Sequence, residues 1–424
     1  MTKKQSRMVV LALGGALLLG SFVRADGFRN APDTAAAIGL AGNNIAWVDD
    51  ASAVFFNPAN LVDLTNRQVL TSATLGYAGS SYRPNGQSPV GSVPTTTDLP
   101  WFALPSFAVA WPLPEEDLAF GLGVNVPYGR QSCWDNAGNF RYTAPTYSKM
   151  MVLDIDPSVA WRISDELSVG AGLDLYYGRL QFRQVLPWSY ILSAPGLPDG
   201  LAQATADGWA VGANAGVTWR PTPDQRVALT CRAPFDLHFS GDLTVSDVPA
   251  GAPVVSESSF DTTFQFPTIV ALGYGVQVTD TLTLETDVEW LQYSRFKAMS
   301  LDAGANNPLL QAAGLASMPA DWNDTWTFGL GAAWQFAPQW TLRGGYEYLE
   351  SPEANRTFAP SFLDKSQSLV GLGFGFREGP NAVDLAGAVG IFGTRSVRNN
   401  QNLAYDGDYI FSATIVALTY TRDF

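Results

Sequence analysis

From about residue 67 to the C-terminus, apolar and polar side chains alternate with a period of two. In one such stretch Leu282, Leu284, Thr286, Val288 and Trp290 fall on one face, and Thr283, Glu285, Asp287 and Glu289 on the other. That period is the mark of a β-strand between an apolar and a wet environment. A soluble sandwich with its apolar face inward gives the same string, so periodicity alone leaves both open. The strand count and the connections separate them. Alternating stretches lie near 68–78, 101–112, 117–127, 149–161, 165–183, 208–220, 224–240, 260–278, 280–296, 322–337, 339–349, 365–377, 381–392 and 408–422, an even number. Short connections such as Thr279-Asp280 and Ala337-Pro338 alternate with long ones near 79–100, 128–148, 184–207, 241–259, 297–321, 350–364 and 393–407. Short turns at one end and long loops at the other are expected of an outer-membrane barrel. After the N-terminus no run of 18 apolar residues occurs. A closed barrel is then the structure that can satisfy its backbone in lipid. The expected fold is all-β, a 14-stranded antiparallel transmembrane β-barrel over residues 67–424.

Composition agrees. Charged residues make up 15% of the chain, against about 25% in ordinary soluble domains. The formal charge of −14 argues against a nucleic-acid partner, which needs a basic footprint. Trp101, Trp111, Trp161, Trp209, Trp219, Trp290, Trp334 and Trp340 recur near strand ends, where interfacial girdles form. Glycines repeat at alternate positions, as at Gly121 and Gly123, Gly170 and Gly172, and Gly371, Gly373 and Gly375. Within strands they mark close approach of another backbone and leave room for lumen contents. The two cysteines, Cys133 and Cys231, are too few for a disulfide framework, and their pairing stays open. His238 is the single histidine, which argues against a zinc site and against the histidine-dependent chemistry of outer-membrane hydrolases. No cofactor, metal or catalytic residue is expected.

The ends carry separate signals. Residues 1–25 read as an export signal, with Lys3, Lys4 and Arg7 before an apolar run and Val23-Arg24-Ala25 at its end. Residues 26–66 are rich in small residues and too polar to span a membrane. A compact segment ahead of a barrel pattern suggests a plug. Within it Pro58 biases Asn57 away from helix; Asn57 can bond its own backbone and end a helical piece over Asp33 to Ile45. The final strand carries Val416, Leu418 and Tyr420 and closes on Phe424. That ending resembles the signal by which barrel assembly machinery recognises outer-membrane proteins.

The whole chain after the signal resembles the FadL-type outer-membrane transporters of long-chain fatty acids and other hydrophobic compounds (OMPP1/FadL/TodX). The resemblance rests on Gly27-Phe28, Gly39, Ala41, Ala46, Asp49-Asp50-Ala51 and Asn57-Pro58-Ala59, in that order. It continues through Asn125-Val126-Pro127-Tyr128-Gly129, Trp209 to Gly216 and Arg226-Val227-Ala228-Leu229-Thr230. Trp340-Thr341-Leu342-Arg343-Gly344-Gly345, leading into Ser351-Pro352, completes it. It implies a small N-terminal hatch containing the NPA tripeptide and a lateral exit toward the bilayer at a kink over Pro127, Tyr128 and Gly129. A strand that simply ends at Val126 is the plain alternative. The resemblance also implies an outer groove from the third and fourth long loops, here with Trp134, Phe140, Trp188, Ile191 and Leu192, and an inner headgroup site at Arg183. The family's lysine before the tenth strand is missing: the region reads Ser317-Met318-Pro319-Ala320. A hydrocarbon or aromatic cargo is therefore as well supported as a fatty acid. The expected partners are a hydrophobic small molecule and outer-membrane lipid. The expected function is passive uptake across the Gram-negative outer membrane. A general porin for small polar solutes is the rival.

Overall fold

The computed structural model describes residues 27–85, 94–135, 138–300, 302 and 317–424. The expected export signal lies outside them. Fourteen antiparallel strands close into a barrel in chain order. They are β1 (Gln68–Pro84), β2 (Trp101–Leu113), β3 (Leu118–Cys133), β4 (Tyr147–Arg162), β5 (Leu167–Leu186) and β6 (Gly200–Thr222). β7 follows in two pieces, Gln225–Arg232 and Phe235–Ser246, and β8 in two, Glu257–Phe266 and Ile269–Thr279. β9 (Leu282–Leu291), β10 (Thr325–Ala337), β11 (Trp340–Leu349), β12 (Gln367–Glu378), β13 (Asn381–Phe392) and β14 (Gly407–Asp423) complete the wall. The seam between β1 and β14 runs unbroken from Gln68↔Asp423 to Pro84↔Gly407. Closure leaves no free edge to be satisfied in lipid.

The outer surface is an apolar belt that includes Val211, Leu330, Leu372, Ile391 and Leu418, all about half exposed or more. Trp209 and Trp219 lie ten residues apart on β6 and are both exposed. Ten residues on a strand tilted near 45° rise about 24 Å, the height of the apolar band of such barrels.

Strand existence agrees with the sequence; several boundaries do not. β7 and β8 break at Ala233-Pro234 and Pro267-Thr268, because proline cannot donate to a ladder. The ladder between β6 and β7 is interrupted at the same level, from Gly208 to Ala213. β6 starts at Gly200, well before the expected 208. Its early part is alanine-rich, a weak strand signal, and is held by pairing with β5 from Leu186↔Gly200 onward.

The N-terminal segment crosses the lumen. Two short helices, α1 (Ala35–Gly39) and α2 (Ala53–Phe56), precede a 3₁₀ turn over Pro58–Asp63. α1 packs against β11 to β14, and the 3₁₀ turn against β2 to β6 on the other side. The expected helix over Asp33–Ile45 is only five residues long. Thr34 caps its start by accepting from the Ala37 N–H. Ala41 and Gly42 take left-handed conformations that end it.

Candidate functional site

A second interruption of the wall, besides the one between β6 and β7, lies between β2 and β3. Pairing of β2 with β3 stops at Phe107↔Val124, although both strands continue. On its other side β3 slips register against β4 between Asn125 and Tyr128. Alternate burial is lost from Asn125 to Ser132, so this part of β3 has moved inward. Pro127 brings no N–H to the ladder. Continuing the β2–β3 register would set Pro105 of β2 beside Val126, so both edges carry a proline in the same span. The N-terminal segment supplies the bonds β2 has given up. The Asn30 N–H donates to the Pro127 carbonyl (2.9 Å), the Gly129 N–H to the Phe28 carbonyl (2.8 Å), and Asn30 Nδ2 to the Val126 carbonyl (2.7 Å). Above the gap, contact returns at Thr97↔Trp134. β3 runs on to Cys133, which excludes the reading in which the strand ends at Val126.

Phe28 also anchors an aromatic cluster across the lumen. Its ring centroid lies 4.6 Å from Trp322, 4.9 Å from Phe296, 5.6 Å from Phe264 and 5.9 Å from Phe362. Tyr128 joins through Phe266 (4.9 Å), which stacks on Phe235, itself stacked on Tyr176 at 3.9 Å. The kink and the cluster therefore share one support, Gly27 to Asn30. Gly27 is left-handed and lies against the Tyr293 ring, where a side chain would not fit.

Asn57 and Pro58 hold the other end of the segment. Asn57 Oδ1 accepts from the Ala59 N–H, and Nδ2 donates to the Ile45 carbonyl and Thr218 Oγ1, both at 2.9 Å. A Cβ at Gly170 would overlap the Pro58–Ala59 backbone, and one at Gly216 the Asn57 amide. The alternating glycines thus admit the segment itself. The inward carboxylates of β9 grip it as well: the Asn44 N–H donates to Asp287 (2.8 Å), the Ala46 N–H to Glu285, and Arg29 pairs with Glu289.

Among the described residues, three cavities bear on the site. An outer groove of about 1010 Å³ is lined by Tyr142, Phe182, Leu186, Ile191, Met318, Phe358 and Tyr405 among others. A chamber of about 100 Å³ beneath the kink is bounded by Asn30, Asp33, Phe55, Tyr128, Arg232 and Glu289. A third, about 340 Å³, lies on the short-turn side against Trp47, Asp50 and Arg343.

The expected ligand residues distribute unevenly. Ile191 lines the outer groove, and Leu192 packs partly buried beside it. Trp134, Phe140 and Trp188 are fully buried instead. Trp134 donates to the Pro360 carbonyl (2.9 Å) and packs on Phe140 at 4.8 Å, so these rings build the floor under the loops. Arg183 is exposed, between the buried Phe182 and Gln184, and its guanidinium covers the Tyr147 ring. It points away from the lumen and cannot serve an inner site. Arg232 is a cation that does face the lumen, and its Nη1 lies 2.8 Å from Asp154, 2.7 Å from Asp174 and 2.9 Å from the Tyr176 hydroxyl. An arginine beside the proline that splits β7 was the available signal. Asp154, Asp156 and Asp174 approach one another closely enough to suggest a metal, but Arg232 and Asn214 already bond them. Cys133 and Cys231 are both free thiols. His238 is exposed beside Asp261 and Thr263, close to the start of the second piece of β7.

The chain from residue 16 to 424 matches the family model described as outer membrane protein transport protein (OMPP1/FadL/TodX). A putative outer membrane protein of Neisseria meningitidis, NMB0088, is 24% identical over 90% of this chain and 89% of its own. A long-chain fatty acid transport protein of Shigella flexneri is 21% identical over 77% of this chain and 79% of its own. Among solved structures, a Pseudomonas aeruginosa FadL homologue superposes with a TM-score of 0.81 at 21% identity, covering 94% of this chain and all of the other. The Ralstonia pickettii toluene transporter TbuX gives 0.68 at 19% identity, covering 96% of this chain and all of the other. The chain belongs to the OMPP1/FadL/TodX family of transport proteins of the Gram-negative outer membrane.

Proposed function

We propose that the barrel takes up hydrophobic molecules passively and releases them sideways through the opening between β2 and β3, with residues 26–66 acting as its hatch. The observation that carries the reading is the unzipped ladder from Asn125 to Gln131, capped from inside by residues 28–30. Cargo leaves the polar outer layer for the groove at Ile191, Phe358 and Tyr405. Burial contributes about 0.8 kcal/mol per CH₂. That same burial would trap the molecule, so release requires movement. Phe28 plugs the aromatic cluster while its carbonyl holds Gly129, so one displacement of residues 27–30 opens the passage and loosens the kink. No nucleophile–histidine pair serves the lumen, since His238 is on the outer surface, and we assign no catalytic step. Phe424, just after the closing strand, is the contact we assign to the assembly machinery.

The reading is tested by replacing Pro127 with Thr and Gly129 with Val, which restores a donor and a strand-forming residue. Uptake of a radiolabelled long-chain hydrophobe by cells carrying the variant should fall to the background of cells without the barrel, with heat-modifiable migration unchanged. Undiminished uptake would place the exit elsewhere.

A further inference from the structure

We propose that the chamber beneath the kink rejects anionic headgroups, so that the cargo of this barrel is an uncharged hydrophobe and not a fatty-acid carboxylate. The proposal rests on the uptake reading above and narrows its substrate class.

Among the described residues the chamber wall holds two cations, Arg29 and Arg232. Each is already bound to carboxylate. Arg29 makes a two-point pair with Glu289. Arg232 bridges Asp154 and Asp174, which are 1% and 0% exposed. Asp33 and Glu347 also line the chamber, and Asp156 stands behind Asn214. Carboxylates therefore outnumber arginines. An incoming carboxylate would have to draw an arginine from a buried partner and leave that partner uncompensated, which typically costs about 3–5 kcal/mol.

The acceptor side leads to the same conclusion. Asp154 Oδ1, Asp174 Oδ2 and Asn214 Oδ1 are buried and bond to nothing in the protein. Asn214 is on the chamber wall with the two carboxylates packed behind it, and all three oxygens repel an anion. Ile45, Phe55, Phe56 and Ile269 give the same chamber an apolar side that suits a hydrocarbon body. Lys149, Arg179 and Arg183 lie outside the chamber wall, and both arginines are exposed between buried neighbours on β5, so they offer an anion nothing in the chamber.

The test compares laurate with 1-dodecanol, which share chain length and differ in headgroup charge. Radiolabelled uptake at pH 8 is followed in cells carrying the wild-type barrel, corrected for cells without it. Barrel-dependent dodecanol uptake should exceed laurate uptake by at least about tenfold, a modest threshold against the cost of desolvating an unpaired carboxylate. In the double variant Asp154→Asn, Asp174→Asn, which releases Arg232, laurate uptake should rise until the two rates agree within about threefold. Laurate uptake equal to or faster than dodecanol uptake in the wild type would overturn the proposal and leave the uptake reading standing. That comparison needs no variant to fold. An unchanged preference in a correctly folded double variant would also overturn it, by moving the selection away from this chamber. Barrel-dependent uptake of neither compound would sink the uptake reading, and this proposal with it.

Discussion

Asn57 illustrates what one residue contributes and how much of it is legible in advance. The turn propensity of Asn-Pro is a local property, and Asn57 does accept from the Ala59 N–H as expected. Its other bonds reach Ile45 and Thr218, the latter far along the chain, and no local rule names them. Asn57→Ala should leave buried groups unsatisfied, at about 2–4 kcal/mol of segment stability. Amide hydrogen exchange over Ile45–Asn60 should speed up accordingly, and unchanged protection would refute this. Asp50, in the same segment, is buried, and burial followed by the neighbouring Asp49 charge pushes its pKa from 3.8 to about 6, against bonds from Ser52. The docked segment thus holds the proton more tightly than the free chain. Its contribution is full below pH 4 and lost as pH rises through about 6, roughly 3 kcal/mol in all. Asp50→Asn should abolish that slope in exchange protection measured between pH 4 and 7, after correction for intrinsic rates.

At the scale of elements, the period-two pattern gives strands because a two-residue repeat has one geometric solution. It is silent about breaks within them. The prolines at 127, 234 and 267 were visible; which would bend a strand, interrupt it or begin a loop depended on neighbours that pairing alone supplies. The glycines show the opposite case. Alternating glycines announced a close approach, and Gly170 and Gly216 receive the Asn57-Pro58-Ala59 turn. Gly170→Leu should expel that turn while sparing the ladder between β4 and β5, since leucine is tolerated in a strand. Proteolysis within residues 45–63 should become rapid, with barrel migration unaltered; a resistant segment would contradict the packing.

For the whole molecule, a filled lumen predicts electrical silence. Reconstituted in planar bilayers, the barrel should show a small, unsteady conductance, and deletion of residues 27–64 should give a large steady one. A large steady conductance in the intact protein would favour a general porin. The sequence by itself determined an outer-membrane, fourteen-stranded barrel. Alternation, turn chemistry and the lack of apolar runs act within a few residues, and closure follows from backbone satisfaction in lipid. The tertiary structure decided where that wall is unzipped, that Arg183 faces outward, and that Arg232 faces the lumen with its charge already taken. Those outcomes depend on register and ion pairing between strands up to 78 residues apart, and a side chain's face on a kinked or broken strand cannot be counted from its number.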